Sequence, residues 1–275
     1  KIISENKAGI KGGLRLSYAT LGAFTKYPRK SILDKKSDHI KDKKYGFFHS
    51  QNTFFDEVAN ELGMVDSNGE YMRHPLAYLV EAADDICYTL IDFEDGINLG
   101  WISEEYALEF LIRLVKDSID TKKYNSLKHK TDRVAYLRAL SVNTLINDTV
   151  KIFLANEEKI LNGQFTKTLL SESVFKAQMK DIIDISVRKV YNSNEVIEKE
   201  LKGYQVIHKL ISVFIKASVN NQSDNTTALD DLVLSSLPQV YIHKDGNLYD
   251  QLLDISCFVA SLTDGNALEW YNKIS

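Results

Sequence analysis

A chain of 275 residues, 44% apolar and 26% charged, holds enough material for one large core or two smaller ones. Its net charge of −4 gives no general attraction for nucleic acid or an anionic membrane surface. No apolar run approaches the roughly 20 residues that span a bilayer.

Cys87 and Cys257 stand far apart without metal-like spacing, so we expect a reducing compartment, the cytosol, and not a disulfide scaffold. The chain opens on Lys1 with no signal-peptide pattern, and we expect a further part upstream.

Taken in order, LRLSYATLGAFTKYP spaces Leu14, Tyr18, Leu21 and Phe24 about one turn apart and ends at Pro28, the pattern of a helix. The lysine-rich stretch from Lys35 to Lys44 follows and is expected to be a solvated loop. A second helix is expected near Ser50, with Phe54, Val58 and Leu62 on one face. VDSNGEYMRHP predicts a turn, and Pro75 suits the first turn of a long helix reaching about Asp95.

SEEYALEFLIRLVKDS predicts another helix, and one more runs from Thr131 to the Asn162-Gly163 stop. Further helices are expected over SESVFKAQMKDIIDISVRKVY, NEVIEKELKGYQVIHKLISVFIKASV, NLYDQLLDISCFVASL and DGNALEWYNKI. NQSDNTTALD is expected to be a polar break, and IHKDGNL a small turn or hairpin. With 3 prolines, 13 glycines and no convincing β-alternation, the expected class is all-α, as a single unit over 1–275.

The long helix after Pro75 carries Glu81, Asp84, Asp85, Asp92, Glu94 and Asp95 within one apolar, helix-forming segment. Residues three or four apart share a face, so one stripe is expected to run from Glu81 through Asp84 or Asp85, Tyr88 and Asp92 to Asp95. Leu79, Ala82, Ala83, Ile86, Leu90 and Phe93 form the opposite, core-like stripe. No Lys or Arg occurs between Arg73 and Gly100, whereas a merely solvated helix mixes signs. A carboxylate, a phenol and a second carboxylate on successive turns can ligate a hard divalent cation, stack on a ring and accept hydroxyl hydrogen bonds.

The segment RHPLAYLVEAADDICYTLIDFEDG, Arg73 to Gly96, resembles the deoxyguanosine triphosphate triphosphohydrolases, bacterial dNTPases of the HD-domain superfamily. GGLRLSYATLGAFTKYP, KKYGFF, FDEVANELGM and YDQLLDISCFVASLTDGNALEWY resemble the same family, in the same order. The resemblance implies an HD-like helical bundle with residues 1–110 in the catalytic core and 111–275 as a C-terminal helical region. It implies hydrolysis of a dNTP to deoxynucleoside and triphosphate with a divalent metal, Mg²⁺, Mn²⁺ or another transition metal.

By the resemblance, Asp84 is a metal ligand, Tyr88 packs on the deoxyribose and Asp92 accepts the sugar 3′-hydroxyl. Asp85 stands behind the ligand or on the phosphate side. The family's remaining ligands, a His and a His-Asp pair, have no counterpart here: none of His39, His49, His74, His129, His208 and His243 precedes an Asp. They and the catalytic acid/base residues are expected upstream, which makes residues 1–275 inactive by themselves. The competing expectation is a non-catalytic helical module of the same fold, which binds nucleotide or a partner.

Lys26 and Tyr27 close the first helix, where a cation favours the helix dipole. In the resembled enzymes such a pair reaches the nucleotide, Lys to phosphate. Arg133 and Tyr136 share a face of a later helix and are further candidates for gripping the triphosphate, against the simpler role of surface pairing. Arg188 and Tyr191 rank below them. The family also implies homo-oligomers and regulation by nucleotides or single-stranded DNA, but no membrane.

Overall fold

The computed structural model describes residues 14, 16–31, 44–241 and 247–274, and within them the chain is all-α. Two isolated bridges, Lys30 with Phe47 and Val65 with Tyr71, are the extended pairings among the described residues. Residues 35–43 of the lysine-rich stretch and residues 242–246 of the expected turn lie outside the description.

Helix α1 spans Tyr18–Phe24, with the Ser17 hydroxyl accepting from the Thr20 N–H at its start. A short 3₁₀ turn leads into α2, Asn52–Glu61. Helix α3, Pro75–Asn98, is the long acidic helix. Pro75 fixes its first turn, and His74 caps it, Nδ1 accepting from the Leu76 N–H at 3.2 Å. Burial lowers the His74 pKa, which favours the neutral ring that this acceptor role requires. Gly100, at φ +79°, closes the far end in a conformation that other residues rarely adopt.

Then come α4 (Glu104–Val115), α5 (Thr121–Ser126), α6 (Lys130–Ala155) and α7 (Glu157–Leu161). The expected single helix from Thr131 to Leu161 breaks at Asn156, whose side-chain amide turns back to the Ile152 carbonyl at 2.8 Å. Helix α8, Lys176–Ser186, runs into one wide π-helical turn, Val187–Tyr191.

Contacts divide the chain into two compact units that meet in sequence at Ser193 and Asn194. In the unit of residues 17–193, α3 lies at the centre. Its Ile86, Leu90, Phe93 and Ile97 pack with Leu111 and Leu114 of α4, Val134, Leu137 and Leu145 of α6, and Met179 and Ile182 of α8. Helices α4, α6 and α8 share one core with α3, and the buried residues they bring to it all lie beyond residue 110. Two smaller clusters flank it: Tyr78, Ala82, Ile160, Phe165 and Leu169 below the first turns of α3, and Phe47, Phe55, Ala59 and Met64 beside α2.

The second unit is built on α9, Asn194–Gln222. Helices α10 (Ala228–Ser235), α11 (Leu248–Ala260) and α12 (Asp264–Ile274) pack on it around Phe214, Phe258 and Trp270, whose rings meet edge to face at 5.3–5.8 Å. Helix α10 begins within the last three residues of the expected polar break and runs five residues past it. A capping box between Thr227 and Asp230 starts it.

Candidate functional site

Asp84, Tyr88 and Asp92 stand four residues apart on α3, about 6 Å of rise between successive members. Asp84 and Tyr88 are exposed, Tyr88 at 63%, and Asp92 is half-buried. Asp84 has no hydrogen-bond or ion-pair partner among the described residues.

Glu81 departs from the expected stripe. Its side chain is buried, with Oε2 2.8 Å from Arg73 Nη2 and Oε1 3.3 Å from Lys26 Nζ. Arg73 is buried with it, its guanidinium 4.2 Å from the centre of the Tyr78 ring. The counter-charges come from the loop before α3 and from the end of α1, so their absence within the helix does not leave Glu81 unpaired. Ala83, expected in the core, is exposed. Glu94 faces Arg138 of α6 at 2.5 Å. Of the six acids, these two are committed to packing.

Lys26 also draws Asp85 into this corner. Burial raises the Asp85 pKa, Lys26 opposes that, and the neighbouring Glu81 and Asp84 charges add to it. Burial pulls Lys26 down, but Glu81 and then Asp85 outweigh this and its pKa is raised, which keeps the ammonium charged. Tyr27 turns its ring under the same ammonium, 5.8 Å from ring centre to Nζ.

Asp92 is held from another element. The Tyr191 hydroxyl, at the end of the π-helical turn, donates to Asp92 Oδ2. Burial raises the Tyr191 pKa first, and the Asp92 hydrogen bond and charge raise it further. This phenol received little weight from sequence, because nothing local links residues 99 positions apart.

No family model matches the chain. It is 31% identical over 270 residues to a deoxyguanosinetriphosphate triphosphohydrolase-like protein of Synechocystis sp., covering 96% of this chain and 60% of that relative. A protein of the same description from Listeria monocytogenes is 29% identical over 287 residues with the same coverage. A deoxyguanosinetriphosphate triphosphohydrolase of Serratia proteamaculans is 30% identical over 220 residues, 73% of this chain and 43% of that protein. Over almost its whole length the chain is thus a relative of the deoxyguanosinetriphosphate triphosphohydrolases.

Over the length compared, it spans about three-fifths of these first family members. Against the family's implied site, Asp84, Tyr88 and Asp92 share one face of α3, Asp85 directly follows Asp84, and Lys26 with Tyr27 lies beside Glu81, one turn toward the start of the helix. Arg133 and Tyr136 are not brought there. Lys130 Nζ donates to the Ile97 carbonyl at 3.1 Å, so the start of α6 lies beside the end of α3, roughly 20 Å along the axis from Asp84. Arg133 there pairs with Glu104 at 2.6 Å and also donates to the Leu127 and Lys128 carbonyls. The Tyr136 hydroxyl accepts from the Asp120 N–H at 3.1 Å.

The family uses a divalent metal. An exposed, uncommitted carboxylate such as Asp84 is the right donor type for a hard cation. Among the described residues, however, no three His, Cys, Asp or Glu side chains gather into a set that could hold one. Asp84 offers a single donor of that type. Among the described residues, no helix is long and apolar enough to cross a membrane.

Proposed function

We propose that this chain supplies the sugar- and phosphate-facing wall of a metal-dependent dNTP triphosphohydrolase. The observation that carries the reading is the unpartnered Asp84 in register with an exposed phenol and a carboxylate fixed from behind, while neighbouring Glu81 is tied into the core. The names of the relatives supply the chemistry, triphosphohydrolysis of deoxyguanosine triphosphate, and the reading extends it to a dNTP that with water gives deoxynucleoside and triphosphate.

In this reading Asp84 anchors the cation, which when bound polarises the α-phosphate and activates a water. The chain's own residues do the positioning. Tyr88 lies along the deoxyribose face and leaves no room for a 2′-hydroxyl. Asp92 accepts the 3′-hydroxyl, and Lys26 and Tyr27 meet the phosphates. Water oxygen joins the α-phosphorus, the bond to the 5′-oxygen breaks, and a proton returns to that oxygen. The triphosphate leaves intact.

Residues 1–275 by themselves are expected to be inactive, since one carboxylate does not hold a catalytic metal. The competing reading is a nucleotide-binding or interaction module of the same fold without chemistry. The deciding experiment compares this chain with the natural full-length protein, with Mg²⁺ or Mn²⁺ and each dNTP, scoring triphosphate release. Release by the full-length protein supports the enzyme. Binding without release by either supports the module. The family's homo-oligomers, nucleotide or single-stranded DNA effectors and cytoplasmic setting extend to this chain as part of the same proposal.

A further inference from the structure

We infer that Tyr191 is a positioning residue: it clamps one oxygen of Asp92 so that the other meets a sugar hydroxyl. The inference rests on the proposed function for the identity of that hydroxyl, and on geometry for the rest.

The π-helical turn is what delivers this side chain. It widens the end of α8 by one residue, closed by the Asn192 N–H to the Val187 carbonyl at 3.1 Å. Val190 then packs into the space left by Gly96 on α3, where an added Cβ would lie only 2.6 Å from Val190 Cγ2. Gly96 is one turn beyond Asp92 on the same face. The residue after Val190 therefore lands on Asp92, where its hydroxyl donates to Oδ2. No other hydrogen bond among the described residues engages Asp92, so Oδ1 stays open to an incoming donor.

A carboxylate on a helix surface rotates freely about its last torsion, and holding it still lowers the entropy lost when a ligand hydroxyl binds. Tyr191 is rigid enough for this, since its ring packs against the core that α3, α4, α6 and α8 share. The raised pKa of the phenol keeps it a donor throughout the neutral range. A purely structural tyrosine at this place would stabilise the fold but would not care whether the ligand carries a 3′-hydroxyl.

The test uses the natural full-length protein with a dNTP and the matching 2′,3′-dideoxynucleoside triphosphate. Tyr191→Phe is expected to lower kcat/KM for the dNTP about tenfold and to lower it much less for the dideoxy analogue. With Asp92→Asn in place, adding Tyr191→Phe should change little, because the two act as a pair. Equal losses on both nucleotides, or full additivity with Asp92→Asn, overturns the inference.

A second measurement reads the contact without turnover. With ¹³Cζ-labelled tyrosine, the Tyr191 resonance, assigned by its loss in Tyr191→Phe, should titrate at lower pH in Asp92→Asn than in the wild type. No difference overturns the clamp. If that shift is seen but no dNTP is bound or hydrolysed by the wild type, the proposed function fails and the assignment of a sugar hydroxyl fails with it.

Discussion

Arg73 Nη2 lies 2.8 Å from Glu81 Oε2, and both side chains are almost wholly withdrawn from water. Removing one partner strands the other, and a buried uncompensated charge costs far more than the pair contributes. Glu81→Gln should therefore destabilise the unit by about 3 kcal/mol, read from urea unfolding. Replacing Arg73 and Glu81 together by apolar residues should cost markedly less. A single-variant loss below about 1 kcal/mol would show that water and the neutral Gln amide compensate Arg73 well enough.

Asp84 makes the opposite prediction, since it is exposed and no described residue engages it. Asp84→Ala should leave the unfolding free energy within about 0.5 kcal/mol of wild type. In the full-length protein it should remove the bound metal and lower turnover at least about a hundredfold. Elemental analysis with unchanged metal content and rate would refute its role as a ligand.

Tyr88 stands 63% exposed between the two carboxylates. Tyr88→Ala should reduce the preference for a deoxynucleotide over its ribo counterpart by about tenfold, measured as the ratio of kcat/KM values. An unaltered ratio removes Tyr88 from sugar selection.

For Asp85 the folded pKa is raised, chiefly by burial. Its stabilising contribution is thus fully present below the ordinary carboxylate pKa of about 4 and is lost as pH climbs through the raised value. Asp85→Asn keeps a neutral group at all pH values. Thermal melts should show this variant as stable as wild type or more so at pH 7, with the gap closing toward pH 4. A variant that is less stable at pH 7 would mean that the Lys26 attraction outweighs burial.

Gly96→Ala should cost about 1–3 kcal/mol, because the new methyl meets Val190 and Ile102 at under 3 Å and both are side chains of the packed core. The same change should move the π-helical turn and loosen the Tyr191 contact with Asp92, visible as a shifted Tyr191 resonance.

Much of this unit was legible in the sequence because it is local. Pro75 marks where α3 begins, and four-residue spacing aligns Asp84, Tyr88 and Asp92. Helix α10 escaped because its eight residues follow a polar run, and its start depends on Thr227 and Asp230 bonding each other. Glu81 was misplaced for a different reason. Helical spacing alone sets it beside Asp84 and Asp85, but the rotation of α3 is fixed by where Arg73 and Lys26 stand, and both belong to other segments. Tyr191 was least visible of all. Its partner is 99 residues away, and only a widened turn aims the ring.

Lys26 has one more consequence. Its ammonium already rests on Glu81, so a polyanion reaching this corner enters by exchange, trading a carboxylate oxygen for one of its own. What the newcomer gains is the difference between two ion pairs, not the whole of one. A lone phosphate would find little hold there, and the rest of any grip on a longer anion has to come from groups that Lys26 does not share.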